Sequence, residues 1–261
     1  MPENLQFDDE GSRLVEEFNA SPGATERRRR IIEALALKAG ETVLDVGSGP
    51  GHQAYEMSAI VGADGRVEGF DPAESAIAIS SQRCIDLPNV HFHLGGLPTL
   101  PFDADTFDAV MSSQVFEYLD DVQSGLCEIH RILRPGGRLL IHDTDWGSTL
   151  WHSTDPARMA RILEVWVGHL ANPHLPQTLG KELQRAGFSD VSVDPIVQLE
   201  TDLRPGSASN ILMKFVVGYV ESQGVKLSES SAWMGDLVEL DKRGEYFYSS
   251  NEYMFVGQKR T

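Results

Sequence analysis

Residues 43–51 read Val-Leu-Asp-Val-Gly-Ser-Gly-Pro-Gly. Strand-forming residues run directly into glycines at positions 47, 49 and 51, and a helical pattern follows over residues 52–60. Glycine lacks a Cβ, so the chain can turn sharply there and a ligand can lie against the backbone. Strand, glycine-rich turn and helix in that order predict the first βα unit of a nucleotide-type parallel sheet.

The pattern downstream agrees. Strands are expected at 42–46, 66–71, 90–94, 107–112 and 138–144, with helices at 52–60, 73–85 and 121–133. Pro135-Gly136-Gly137 predicts a helix stop before the fifth strand. Ahead of this core, helices are expected at 9–19 and 24–39, split by Ser21-Pro22-Gly23, forming a lid over residues 1–40. After it come helices at 155–170 and 175–186 and a strand at 191–201. Helices at 208–223 and 230–243 then precede a last strand at 246–258. The expected fold is α/β: a Rossmann-like, doubly wound, seven-stranded mixed sheet with its last strand antiparallel. The main domain spans 41–261 and carries a helical cap at about 203–244.

Composition narrows the partners. A formal net charge of −17 repels phosphate backbones and anionic headgroups, so neither nucleic acid nor a membrane surface is an expected partner. The basic run Arg27–Arg30 precedes Ile31-Ile32 and is expected to be the solvated start of an amphipathic helix. Two cysteines, Cys84 and Cys127, fall in predicted helices and are expected in the core. No secretory pattern or membrane-length apolar run appears, and a cytoplasmic location is expected.

Two further signals concern the ligand. The third glycine is displaced by one from G-x-G-x-x-G, with His52 in its place, which disfavours a dinucleotide. Asp71, 24 residues after Gly47, ends the second strand, where a carboxylate can accept both hydroxyls of a ribose. A helix N-cap is the structural alternative for Asp71.

With VLDVGSGPG, GFDP, LPF…FDAVMSSQVFEYL and LRPGGRLLI, residues 42–142 resemble the class I S-adenosylmethionine-dependent methyltransferases. Among these they are similar to the small-molecule group related to the ubiquinone/menaquinone C-methyltransferases. The resemblance implies S-adenosyl-L-methionine as cofactor and S-adenosyl-L-homocysteine as product. It also implies roles by position. Asp45 and the turn Gly47, Ser48, Gly49 and Gly51 would border the methionine part. Asp71, with Pro72 beside it, would hold the ribose. Gly95, Gly96 and Leu97 would line the adenine. Ser112, Ser113 and Gln114 would face the sulfonium and the amino-acid end, with Phe116 and Glu117 completing the rim. Family members commonly carry Asp at position 96 and His at position 118. Here Gly96 offers no side-chain acceptor, a loss of about 1 kcal/mol. Tyr118 removes a histidine acid/base from its position.

Ligands of open α/β sheets lie beyond the carboxyl ends of the strands. Tyr118, His142 and Asp145 are therefore the expected catalytic candidates, and Trp146 and Trp151 the expected pocket aromatics. Lid packing is the alternative for both tryptophans. Ser112-Ser113 stands where a divalent metal would need a carboxylate, so no metal is expected. His169, Pro173 and His174 are expected to be a solvated helix end. The expected reaction is in-line methyl transfer to a small-molecule N, O or C nucleophile. Intramolecular cyclisation on the same fold, or a non-catalytic binding module, is the alternative. Oligomeric state stays open.

Overall fold

The computed structural model describes residues 9–260, with side chains from Val15 onward, so residues 1–8 of the expected lid lie outside the described residues. Five strands form the parallel part of the sheet: β1 (Thr42–Val46), β2 (Arg66–Asp71), β3 (Val90–Leu94), β4 (Phe107–Ser113) and β5 (Leu133–Trp151). Two more, β6 (Phe188–Glu200) and β7 (Tyr248–Lys259), complete the order β3-β2-β1-β4-β5-β7-β6. β7 runs antiparallel to both neighbours, as the alternation predicted. Strand order reverses between β1 and β4, and a ligand crevice opens at such a switch point.

Helices cover both faces. On one lie α5 (Val122–Ile132) and α7 (Pro176–Arg185), whose Leu126, Ile129, Leu179 and Leu183 join one core cluster. On the other lie α2 (Pro22–Leu35) and α3 (His52–Val61), burying Ile31, Leu35, Ala54 and Met57 in a second. α4 (Glu74–Arg83) flanks β2 and β3. α2 is therefore a layer of the core rather than part of a lid. Its predecessor α1 (Asp9–Ala20) is separated from it by Ser21 alone, whose hydroxyl accepts from Ala24 N and caps α2.

Both ends of β5 lie well outside the expected 138–144, and other elements shift by a few residues, β6 starting at Phe188 rather than at 191. β5 starts at Leu133, directly after α5, because the ladder resumes across a bulge. Phe107 pairs with Leu133 and Ala109 with Arg138, so Arg134–Gly137 loops out of register. β5 also runs past Thr144, where Leu150 and Trp151 pair with Ser249 and Tyr248 after a second irregularity. That extension roots the cap. Trp151 and Tyr248 pack with α6 (Pro156–Val167), α8 (Ala208–Ser222) and α9 (Leu227–Lys242) in a third cluster. The helical layer thus draws on α6 as well as the expected 203–244 segment. Trp233 is fully buried at its centre, 5.7 Å from the Trp151 ring, with its indole N–H 3.2 Å from Met159 Sδ. Trp233→Ala is expected to destabilise the protein by about 3–5 kcal/mol, seen as a lower urea midpoint, because the packed cap cannot close over so large a void.

Candidate active site

The loop after β1 is fastened to the end of β2. Gly47 N donates to Phe70 O at 2.7 Å, and Gly49 N donates to Asp71 Oδ2 at 2.9 Å. Asp71 Oδ1 accepts from Ala73 N at 2.9 Å. The carboxylate therefore braces the turn before α4 and clamps the glycine loop, but it is not the helix N-cap considered for it: that position is Ala73, and α4 has no side-chain cap. Each oxygen keeps a further lone pair. Gly47 and Gly49 are both left-handed, at φ +74° and +49°, but for different neighbours. A Cβ on Gly47 would stand 2.1 Å from Val115 Cγ2, whereas one on Gly49 would meet nothing within 4 Å. Gly47 is needed by the packing, and Gly49 leaves the cavity side of the loop bare.

That cavity, of about 260 Å3, lies where strand order reverses. Its floor is Gly47, Ser48, Gly49 and Asp71, and Ser113 and Gln114 form one wall. α1 contributes Val15 and Phe18, and α2 contributes Arg27 and Arg28. Directly behind the loop, Asp45 is 1% exposed, and neither of its carboxyl oxygens has a hydrogen-bond partner among the described residues. Ser48 Oγ and Ser112 Oγ are likewise buried and unsatisfied among the described residues. Burial, and then the neighbouring Asp71, push the Asp45 carboxyl up to about 8. Burial raises Asp71 as well, against the two backbone N–H groups that favour its charge. Buried polar groups without partners are expensive. These fit a ligand that brings cationic charge and hydroxyl donors to the strand tips.

The side walls hold a chain of polar contacts. Ser113 Oγ is 2.9 Å from His142 Nδ1, and His142 Nε2 is 2.9 Å from Glu252 Oε2. Glu252 Oε1 accepts from Arg27 Nη1 at 3.1 Å. His142 is fully buried behind Ser113, and burial lowers its pKa. It stands behind Ser113 and Gln114, which line the cavity.

The other expected residues divide into three groups. Pro72 and Gly96 are exposed beside the crevice, with Gly95 and Leu97 half-buried in the same turn, and none of the four lines the cavity floor. Beyond β4, Phe116, Glu117 and Tyr118 form a 3-10 turn. Phe116 is fully buried core, while Glu117 accepts from the Trp146 indole at 2.9 Å. Glu117 is pushed up to about 8 by burial, and Asp143 is raised by burial and by Glu117. The Tyr118 phenol is also raised, first by burial and then by Glu117 and Asp143, so it stays protonated. Its ring lies 5.8 Å from His169. Asp145 turns elsewhere: it accepts from His174 Nδ1 at 3.0 Å and Gln177 Nε2 at 3.1 Å, at a separate cavity beside α7. Trp151 is 1% exposed in the cap core, its indole bonded to Tyr246 Oη at 3.0 Å, which is the packing alternative.

Three sequence expectations need correction. Arg27 and Arg28 are not solvated; both are buried, with Arg28 paired to Glu56 at 2.9 Å. Only Arg29 of the run is fully exposed. The signal was present, since Arg27 and Arg28 precede Ile31 and Ile32 by four residues and share their helix face. His169 is 3% exposed beneath Trp146, Trp166 and Tyr219, and only the His174 side chain is exposed. Cys127 is exposed, whereas Cys84 is buried. Glu252 was missed altogether, lying in a strand whose pattern carries no ligand signal. Among the described residues, no three His, Cys, Asp or Glu side chains are grouped to hold a metal ion. No described helix is long and apolar enough to cross a membrane.

Comparison with known proteins places this geometry. Residues 44–141 match the family model described as a methyltransferase domain. A 37.1 kDa protein of a Streptomyces fradiae transposon is 27% identical over 249 residues, covering 94% of this chain and 70% of that protein. The demethylmenaquinone methyltransferase of Staphylococcus epidermidis is 31% identical over 117 residues, 45% of this chain and 48% of the enzyme. The chain thus spans about half the length of that named relative. Among solved structures, Haemonchus contortus phosphoethanolamine N-methyltransferase 2, in complex with phosphomonomethylethanolamine and S-adenosylhomocysteine, superposes with TM-score 0.65. It is 19% identical, over 98% of this chain and 58% of that one, a likeness of fold.

Proposed function

We infer that this chain, which through residues 44–141 belongs to the class I S-adenosylmethionine-dependent methyltransferases, transfers a methyl group from S-adenosylmethionine to a nucleophile of a small molecule. The observation that carries this is the strand-tip chemistry. Asp45, Ser48 and Ser112 are buried without partners beside a cavity whose floor includes Asp71. When bound, S-adenosylmethionine supplies a methyl group on a positively charged sulphur, already electrophilic.

The chain's own residues would do the rest by placement. Asp71 would accept the ribose hydroxyls on its remaining lone pairs while its clamp on Gly49 holds the loop. Asp45, Ser48 and Ser112 would meet the charged, hydrogen-bonding end of the donor. Bare Gly49 leaves room for a ligand close to the backbone. Val15 and Phe18 of α1 exclude water, so that alignment of the acceptor does most of the work. A Cβ on Gly96 would only touch Pro72, 3.7 Å away, and Gly96 itself would leave the adenine to backbone contacts. Tyr118, Glu117 and Trp146 line up beyond β4 as candidates to meet the acceptor. Trp146 gives a planar or cationic acceptor an aromatic face. His142 and Asp145 do not meet it directly. A net charge of −17 supports a small molecule rather than nucleic acid as acceptor. A cytoplasmic location is part of the same proposal.

Product analysis tests the chemistry. Incubation of the purified chain with S-adenosylmethionine and a panel of amine, phenol and quinol-type acceptors is expected to release S-adenosylhomocysteine. Methylthioadenosine as product would instead indicate cyclisation. No calorimetric affinity for either the donor or S-adenosylhomocysteine would sink the enzyme assignment.

A further inference from the structure

Two carboxyls beyond β4 lack a counter-charge. Glu117 and Asp143 are each 1% exposed. Nearby Glu252 is paired with Arg27 and His142, but no ion pair reaches Glu117 or Asp143 among the described residues. One oxygen of each is fixed: Glu117 Oε2 accepts from Trp146 Nε1 at 2.9 Å, and Asp143 Oδ1 accepts from Val115 N at 3.1 Å. The other two, Glu117 Oε1 and Asp143 Oδ2, are buried with no hydrogen-bond partner among the described residues. The surroundings are aromatic. Trp146 meets Trp166 of α6 edge-on at 5.6 Å, and Tyr118 and Tyr219 flank His169 at 5.8 and 5.2 Å. Burial lowers the His169 pKa, so this imidazole brings no charge at neutral pH. The loop after α6 is fastened to the carboxyls' own turn, with Asn172 N donating to Glu117 O at 2.8 Å and Trp146 N donating to Pro173 O at 3.0 Å. Glu117 lies three residues past Gln114, a wall of the donor cavity. Unpartnered acid oxygens beside aromatic faces offer what a desolvated cation requires.

We propose that this cluster takes the methyl acceptor as a protonated amine: Glu117 Oε1 and Asp143 Oδ2 receive its N–H groups, Trp146 gives it an aromatic face, and Glu117 removes a proton before transfer. The inference rests on the methyl-transfer reading above and names its acceptor class. Glu117 touches the acceptor nitrogen, and Asp143, through Val115 N, also positions the turn. An ammonium nitrogen has no lone pair to attack with. Transfer of one N–H proton to the Glu117 carboxylate leaves that pair on nitrogen. The pair then forms the bond to the methyl carbon as the carbon–sulphur bond breaks and its electrons stay on sulphur, giving an N-methylammonium and a neutral thioether. An ordinary glutamate near ~4.3 is far too acidic to take a proton from an aliphatic ammonium near ~10.4. Glu117, pushed up to about 8 by burial, closes most of that gap. The net charge of −17 draws cations rather than anions toward the site.

Calorimetry on protein saturated with S-adenosylhomocysteine compares benzylamine, a cation at pH 7, with benzyl alcohol, its neutral analogue. Benzylamine is expected to bind at least roughly 10-fold more tightly. Glu117→Gln keeps an acceptor for the Trp146 indole and removes an uncompensated acid. It is expected to melt no lower, to bind S-adenosylhomocysteine still, and to cut the preference for benzylamine below about threefold. Equal affinity for the two probes in the unaltered protein, or a preference that survives Glu117→Gln, would overturn the proposal. So would S-adenosylhomocysteine release from S-adenosylmethionine with phenol as acceptor and with no amine. Those outcomes leave methyl transfer standing, whereas failure of the unaltered protein to bind S-adenosylhomocysteine would remove the donor reading and this proposal with it.

Discussion

Asp45→Asn is expected to make the ligand-free protein more stable and the donor site much weaker. In the folded chain the Asp45 carboxyl titrates at about 8, raised by burial and by Asp71, whereas in the unfolded chain it titrates near its usual ~3.9. Between those values the unfolded state has released a proton that the folded state retains, so Asp45 lowers stability progressively as pH rises through that window. At pH 7 the difference of about three units corresponds to about 4 kcal/mol, the upper end of an expected gain of about 2–4 kcal/mol for asparagine. Thermal and urea denaturation should show that gain at pH 7 and its disappearance near pH 4, where Asp45 is neutral in both states. A stability gain over the unaltered protein no larger at pH 7 than at pH 4 would contradict the assignment. Calorimetry with S-adenosylmethionine should show a roughly 10–100-fold loss. In the unaltered protein, affinity for this cation should rise with pH up to about 8, since only the ionised carboxylate attracts it. The strand tip is thus a place where stability is given up for a ligand.

Asp71→Ala is the second large effect. The carboxylate is held by Gly49 N and Ala73 N, so its loss both removes the proposed ribose acceptor and frees the loop. Affinity for S-adenosylhomocysteine should fall by at least ~1.5–3 kcal/mol, or roughly 10–150-fold. Asp71→Asn, with one acceptor oxygen, can satisfy only one of the two backbone donors and should fall between. Adenosine itself should lose affinity in step, because the contact is to the sugar. Loss confined to ligands with an amino-acid end would move Asp71 away from the ribose.

Local chemistry made much of this legible in advance. Strand-forming runs at 42–46, 66–71 and 90–94 match β1, β2 and β3 to the residue, because short strands of β-branched and aromatic residues bounded by turns leave an unambiguous pattern. The Gly47–Gly51 loop and Asp71 were visible because a sharp turn and a strand-end carboxylate are properties of residue type at a given spacing. Where local signals competed, they misled. Pro135-Gly136-Gly137 looked like a gap before β5, but sheet pairing resumes across it as a bulge. Arg27 and Arg28 looked like solvated cations because charge is usually exposed. Each is instead buried against a carboxylate, Glu252 or Glu56.

From its residues alone the chain determines the βα alternation, the antiparallel close of the sheet and the glycine loop with its acid. These follow from backbone sterics and side-chain periodicity over a few neighbouring residues. Only the tertiary structure decides what faces that loop. β7 inserts between β5 and β6, and this sets Glu252 against His142, 110 residues away, and Arg27, 225 residues away. Strand order and burial are long-range outcomes, and they alone convert the expected solvated Arg27 into a buried ion pair and a strand histidine into the neighbour of Ser113.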